Sequence, residues 1–247
     1  VSGDLLVNEI FGPVWQGEGR QAGQRCFFIR TATCNLECTW CDTPQTWVYN
    51  ERKATKHSRI DVPFNVRTES TRMNQYGVMT QLHELNCSPR DLIVISGGEP
   101  MLQQHALEPI IQHLWLVGMG GNLAVETAGT IAPEEWWEDG IQWTVSPKLS
   151  GSGNDPDKRY NADAIMAFKD RGADFKFVVT GPEDMVEVDH FVIGHDLDRS
   201  QVWVMPEGIT PEAVMEGAGK LADWASHLGY NLTLRQHILM YGDERKR

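Results

Sequence analysis

Apolar and polar positions along this chain fall into two rhythms. Short runs rich in β-branched and aromatic residues predict strands at Cys26–Thr31, Leu92–Ser96, Asn122–Glu126, Gln142–Ser146, Asp174–Thr180, Gln201–Met205 and Asn231–Leu234. Between many of them, helix-like stretches are predicted at Thr68–Leu85, Gln103–Leu116, Pro133–Trp137, Ala162–Asp170, Glu183–Ile193 and Pro211–His227. Thr210 has the character of an N-cap, and Pro211 suits the first helical position. Strand–helix–strand alternation predicts an α/β fold with a mainly parallel sheet and helices outside it. About six such units would make a partial (β/α) barrel. A doubly wound open sheet fits the same pattern. The polar stretch at 48–76, with Lys53, Lys56, His57, Arg59, Arg67 and Arg72, reads as an insertion or flap in a single domain spanning 1–247.

In parallel α/β folds, active sites gather at the carboxyl ends of strands. Here the strand ends carry the distinctive residues: the cysteine-rich segment after Cys26–Thr31, then Gly97-Gly98-Glu99-Pro100, Glu126-Thr127-Ala128-Gly129, Ser146-Pro147-Lys148 and Met205-Pro206-Glu207-Gly208. Such tips are expected to share one rim.

Composition narrows the chemistry. With 247 residues and 41% hydrophobic content the chain is of globular type, and no run approaches the roughly 18 apolar residues of a membrane helix. Val1–Ile10 lacks the basic-then-apolar order of a secretion signal, so a cytoplasmic location is expected. A formal net charge of −12 argues against a broad nucleic-acid surface and for a small-molecule substrate.

Three of the five cysteines form Cys34-Asn-Leu-Glu-Cys38-Thr-Trp-Cys41. Thiolates are the soft ligands chosen by iron–sulfur clusters and zinc. Three on one short loop reach three corners of a cubane and leave its fourth iron open. A structural zinc site wants four ligands, and no second CxxC follows. Cys26, His57 and Cys87 stand at no characteristic ligand spacing. Cys26 and Cys87 read as packing thiols. Trp40 provides an apolar wall beside the metal.

CxxxCxxC with an aromatic before its last cysteine, followed by Ser96-Gly97-Gly98-Glu99-Pro100, resembles the radical S-adenosylmethionine (SAM) superfamily. A narrower resemblance, to the 7-carboxy-7-deazaguanine synthases, rests on Glu9-Ile10-Phe11 with Gln16-Gly17-Glu18-Gly19. It continues through Phe28–Leu36, Cys41-Asp42-Thr43, Glu126–Gly129, Ser146-Pro147-Lys148, Phe175–Val179 and Arg235-Gln236-His237. It implies a radical SAM-type partial barrel, often paired as a homodimer. It also implies Mg2+-dependent ring contraction of 6-carboxy-5,6,7,8-tetrahydropterin, releasing ammonia, in queuosine-type biosynthesis. An electron donor such as flavodoxin or ferredoxin would serve it.

The resemblance assigns Cys34, Cys38 and Cys41 to a [4Fe–4S] cluster and Thr43 to Mg2+. SAM would meet Trp40, Cys41, Asp42, Gly98 and Glu99, then Ser146, Pro147 and Lys148, and, on a looser match, Met205, Pro206, Glu207 and Gly208. The pterin would meet Trp15, Gln16, Gly17, Arg30 and Ser96. Beyond these, no catalytic side chain is expected apart from the cofactor-borne chemistry. Trp15, the absence of a glutamine before Pro206 and the long stretch after Val48 depart from the family pattern. A glycyl-radical-enzyme activase and a zinc-binding interaction module are the competing readings.

Overall fold

The computed structural model describes residues 3–137 and 139–246. It divides into two compact units. The first takes the chain to Val14, Arg25–Thr127 and Ile131–Gln142; the second takes Trp15–Gln24, Ala128–Thr130 and the chain from Trp143 onward.

The strands of the first unit are β1 (Leu5–Trp15), β2 (Arg25–Thr31), β3 (Thr71–Met73), β4 (Leu92–Gly97) and β5 (Leu123–Thr127), hydrogen-bonded in the order β3-β1-β2-β4-β5. β2, β4 and β5 run parallel, and β3 runs antiparallel to β1. Leu92–Ile95 are fully buried, as a continuous apolar run should be in a strand covered on both faces. Each such side chain contributes about 1.5–3 kcal/mol by leaving water. The helices are α1 (Glu51–Ala54), α2 (Val66–Glu69), α3 (Gln75–Glu84) and α4 (Gln104–Leu116). Gln103, just before α4, braces two segments at once. Its amide oxygen accepts from Leu6 N, and its nitrogen donates to Leu6 O and Ala32 O.

Two expected helices are corrected. Thr68–Leu85 is not one helix, because Thr71–Met73 pairs with Leu5–Val7 and Asn74 then caps a new helix, accepting from Gly77 N at 3.1 Å. Pro133–Trp137 is not helical. Its polar groups are drawn to Gln104, whose Oε1 accepts from Glu134 N and Trp137 Nε1 while Nε2 donates to Ala132 O. β1 stands outside the patterned strands; only the family resemblance pointed to it.

The second unit holds β6 (Gln142–Val145), β7 (Asp174–Val179), β8 (Val202–Pro206) and β9 (Asn231–Leu232), parallel and in that order. Its helices are α5 (Pro156–Arg159), α6 (Ala162–Asp170), α7 (Pro182–Gly194), α8 (Pro211–Leu228) and α9 (Gln236–Tyr241). α8 starts as expected: Thr210 Oγ1 accepts from Ala213 N, and Pro211 follows. No helix among the described residues is long and apolar enough to cross a membrane.

Candidate active site

The cysteine loop leaves β2 and is held by backbone contacts on both flanks. Thr33 N donates to Thr46 O at 2.7 Å, and Glu99 N donates to Thr33 O at 2.8 Å. Close approach is the reason for the glycine pair: a methyl group on Gly97 would overlap Thr31, and one on Gly98 would overlap Thr33 O. The Gly-Gly-Glu turn and the cysteine loop therefore lie backbone to backbone.

Cys34 and Cys41 pack against a buried cluster of Trp47, Val48 and Ala54, flanked by Ile60 and Phe64. Trp47 carried no role in the sequence reading, yet it is the fully buried aromatic of this wall. Burial pushes the Cys34 thiol far above its ordinary range, reinforced by the charge of Glu99 and of its neighbours Cys41 and Cys38. Burial likewise pushes Cys41 up, with Asp42 adding to it and hydrogen bonds from Thr43 and Trp47 opposing it. Such thiols give up protons only to something that binds thiolate strongly, which is what a metal centre does.

The donor set fits a cluster. The indole N–H of Trp40 is buried without a hydrogen-bond partner, a donor that a group bound at the thiols would satisfy. Among the described residues no three His, Cys, Asp or Glu side chains converge as ligands of a single ion would. A closed zinc site needs four, whereas a cubane takes its thiolates at separate corners. Cys26 is no fourth ligand. It packs with Leu92, Val94 and Ala124 near the start of β2, about 17 Å of strand away from Thr31, and burial pushes its thiol up to about 12. Nor is His57, whose two ring nitrogens are both engaged with backbone.

The 48–76 stretch wraps this loop. Glu37 receives Arg52 and Lys56, Ser58 N donates to Thr39 O, and Arg59 reaches the carbonyls of Trp40 and Cys41. Asp42 is exposed beside it. Thr43 Oγ1 lies 3.5 Å from Cys41 Sγ, and its carbonyl accepts from Thr46 Oγ1.

Glu99 is fully buried. Its Oε1 accepts from Met101 N at 3.0 Å and from Thr127 Oγ1 at 2.7 Å, so this carboxylate fixes the turn after Gly98. Arg30 and Ser96 are register partners on β2 and β4. Ser96 Oγ donates to Glu126 Oε2, a carboxylate given no role from sequence. Arg30 Nε donates to Glu9 at 2.9 Å, and its guanidinium lies over the stacked rings of Phe11 and Phe28. Its two terminal nitrogens have no hydrogen-bond partner among the described residues. The arginine is thus held at its stem with its fork presented.

In the second unit, Trp15 is exposed while Gln16 and Gly17 are buried. Gln16 Oε1 accepts from Gly17 N, and Gln24 O and Gly23 N close the loop onto the Gln16 backbone. A methyl group on Gly17 would overlap Nδ1 of His237. Glu18 is the centre of an ion network: Lys176 Nζ at 2.5 Å, Arg235 Nε at 3.1 Å and His237 Nε2 at 4.0 Å. Burial alone would raise this carboxyl. The charges of Lys176, Arg235 and His237, with the Lys176 hydrogen bond, outweigh it and hold the group far below the usual range. Arg235 also donates to Gly208 O at 2.7 Å, so one side chain ties the Glu18 loop to the loop after β8. In that loop Met205 and Pro206 are buried, and Glu207 N donates to Val179 O. Lys148 folds back on Ser146, donating to its carbonyl and hydroxyl; Pro147 between them is buried. Arg159 braces the same loop through Lys148 O and Glu187. The sequence held a clue to this network: Lys176 is a charge set between Phe175 and Phe177 in the middle of a strand, which requires a buried partner.

Known proteins resemble this chain in sequence and in fold. A family profile described as "4Fe-4S single cluster domain" matches residues 16–133. The chain is 30% identical over 244 residues to the 7-carboxy-7-deazaguanine synthase of Pyrobaculum aerophilum, covering 98% of this chain and 96% of that one. It is 30% identical to that of Hyperthermus butylicus, covering 96% and 92%, and 28% identical to that of Rhodopirellula baltica, covering 98% and 88%. The crystal structure of QueE from Escherichia coli superposes with a TM-score of 0.69 at 22% identity, covering 95% of each chain. The fold is therefore of that type, the expected α/β partial barrel.

Proposed function

The chain belongs to the 7-carboxy-7-deazaguanine synthase family, a group of radical SAM enzymes, and from that footing we propose the details of its reaction. The substrate is 6-carboxy-5,6,7,8-tetrahydropterin, and the products are 7-carboxy-7-deazaguanine and ammonia, with Mg2+ required. The observation that carries the reading is the loop of Cys34, Cys38 and Cys41, with Cys38 buried, Cys34 and Cys41 half-buried against an apolar wall, and its backbone seated on the Gly97-Gly98 turn. A [4Fe–4S] cluster held there, with SAM, supplies one-electron chemistry that opens hydrogen abstraction at C6 of the pterin.

The chain's own residues bind and orient. Gly98 lets the turn approach, and Glu99 fixes that turn for the amino group of SAM. Trp40, Cys41 and Asp42 contribute to the same cofactor, as do the loops Ser146–Lys148 and Met205–Gly208. The Arg30 fork receives the pterin carboxylate or carbonyl, because its stem is already fixed by Glu9. Ser96 joins it, as do Trp15, Gln16 and Gly17. Thr43 offers one oxygen to Mg2+, which keeps water or substrate oxygens for the rest. A flavodoxin- or ferredoxin-type donor and a homodimeric assembly complete the reading, in a reducing cytoplasm. The activase and zinc-module alternatives are set aside by the family membership.

The test is anaerobic turnover of the reconstituted protein with carboxytetrahydropterin carrying deuterium at C6. Deuterium should enter SAM, and 7-carboxy-7-deazaguanine should accumulate without stoichiometric loss of SAM. Cleavage of SAM with the pterin untouched and no label moved would refute the substrate.

A further inference from the structure

Outside the roles above, the segment from Glu51 to Phe64 brings one cation and one imidazole onto the backbone of the cysteine loop. Arg59 donates through one terminal nitrogen to Trp40 O at 3.2 Å and to Cys41 O at 3.0 Å. His57 Nε2 lies 2.7 Å from the same Cys41 oxygen. Arg59 N, necessarily a donor, points at His57 Nδ1 at 3.1 Å. Nδ1 is therefore the unprotonated nitrogen, and Nε2–H donates to Cys41 O. The imidazole is the neutral Nε2–H tautomer, buried and tilted against Trp47. Cys41 O thus accepts two hydrogen bonds, one from a full positive charge. That charge lies against the backbone of the residue whose thiolate would hold the cluster.

Charge near an iron–sulfur cluster sets how readily it accepts an electron, because the reduced form carries one more negative charge. We infer that Arg59 is a positioning residue which also eases reduction of the cluster, while His57 holds the same peptide in place without contributing charge. The inference rests on the proposed cluster assignment and deepens it, since it names what in this chain sets the cluster's reducibility.

The experiment is an EPR-monitored redox titration of reconstituted protein with dithionite, without SAM or pterin, so that the readout is independent of turnover. Each electron comes from dithionite and resides on the cluster. In Arg59→Gln the reduction equilibrium should fall about tenfold, a lowering of the midpoint by about 59 mV for a one-electron couple. Arg59→Lys keeps the charge and should restore the reduction equilibrium to within about twofold of wild type. His57→Ala should move the midpoint less than Arg59→Gln does, while its iron is lost to a chelator several-fold faster than from wild type. Thermal unfolding of the apo-proteins controls for misfolding, and Arg59→Lys carries the test should Arg59→Gln fold poorly: a reduction equilibrium lowered about tenfold in the lysine variant would overturn the charge argument. A wild-type cluster with an unchanged midpoint in Arg59→Gln would overturn this inference alone. A wild type that takes up no cluster under anaerobic reconstitution would overturn the cluster assignment, and this inference with it.

Discussion

The cysteine loop of the first unit and the Glu18 loop of the second are both short, polar segments following a strand, but they handle their reactive groups in opposite ways. Around Cys34, Cys38 and Cys41 the chain supplies apolar packing and backbone clamps, and leaves the indole N–H of Trp40 without a partner. Around Glu18 it supplies two cations and a histidine, so the carboxylate is matched within the protein itself. The first loop keeps a buried donor for a bound group to meet, whereas the Glu18 carboxylate of the second is matched by the fold itself. Substitutions in the second should therefore cost fold stability, and those in the first should cost ligand.

Unfolding free energies of the apo-protein order the tests. Glu18→Gln leaves Lys176 and Arg235 buried without their counter-charge, and should cost about 3–5 kcal/mol by denaturant titration. Because the folded carboxyl lies below its ordinary value, its stabilisation is complete above about pH 4.3 and is lost as pH falls toward the folded pKa. The gap between wild type and Glu18→Gln should accordingly narrow below about pH 4. A pH-independent gap would remove the carboxylate charge as the cause.

Gly98→Ala forces a methyl group onto Thr33 O and should cost about 1–3 kcal/mol while lowering iron uptake. Normal iron content in a stable variant would show that the turn is not seated on the cysteine loop. Cys38→Ala should change apo stability by no more than about 1 kcal/mol, yet abolish the cluster's absorbance. Cys87→Ala should keep its iron. Four irons per chain in Cys38→Ala would defeat the ligand assignment. Thr43→Ala should leave stability within about 0.5 kcal/mol and shift the Mg2+ activation curve to higher concentration. An unmoved curve would take Thr43 out of the metal site.

Much of this was readable from the chain. The parallel strands lie within a residue or two of the apolar runs, and α6, α7 and α8 match the amphipathic segments, because those elements are set by periodic burial. The thiols and the Gly-Gly-Glu turn were readable because spacing alone defines them. Residues acting over long separations were not. Glu18, Lys176 and Arg235 sat inside recognised motifs without a role, since a salt bridge between distant positions leaves no local pattern. Thr71–Met73 was hidden for a similar reason: three residues make a strand only when Leu5–Val7 is there to pair with them. Arg59 and His57 read only as part of an insertion or flap until the fold put their side chains on the cysteine loop's carbonyls.

The reach of the Glu18–Arg235 bond along the chain has a consequence for biosynthesis. The partners are 217 residues apart. The ties around the cysteine loop span far less, 15 residues from Glu37 to Arg52 and 16 from Cys41 to His57. At about 5–20 residues per second, a ribosome needs roughly 10–40 s after making Glu18 before Arg235 exists. During that interval the Glu18 carboxylate has no arginine to meet, while the cysteine loop can close its own ties within a few seconds of leaving the ribosome. Nascent chains are thus exposed longest at the loop that is finally the most tightly paired, whereas the cysteine loop has its local partners well before Arg235 is made.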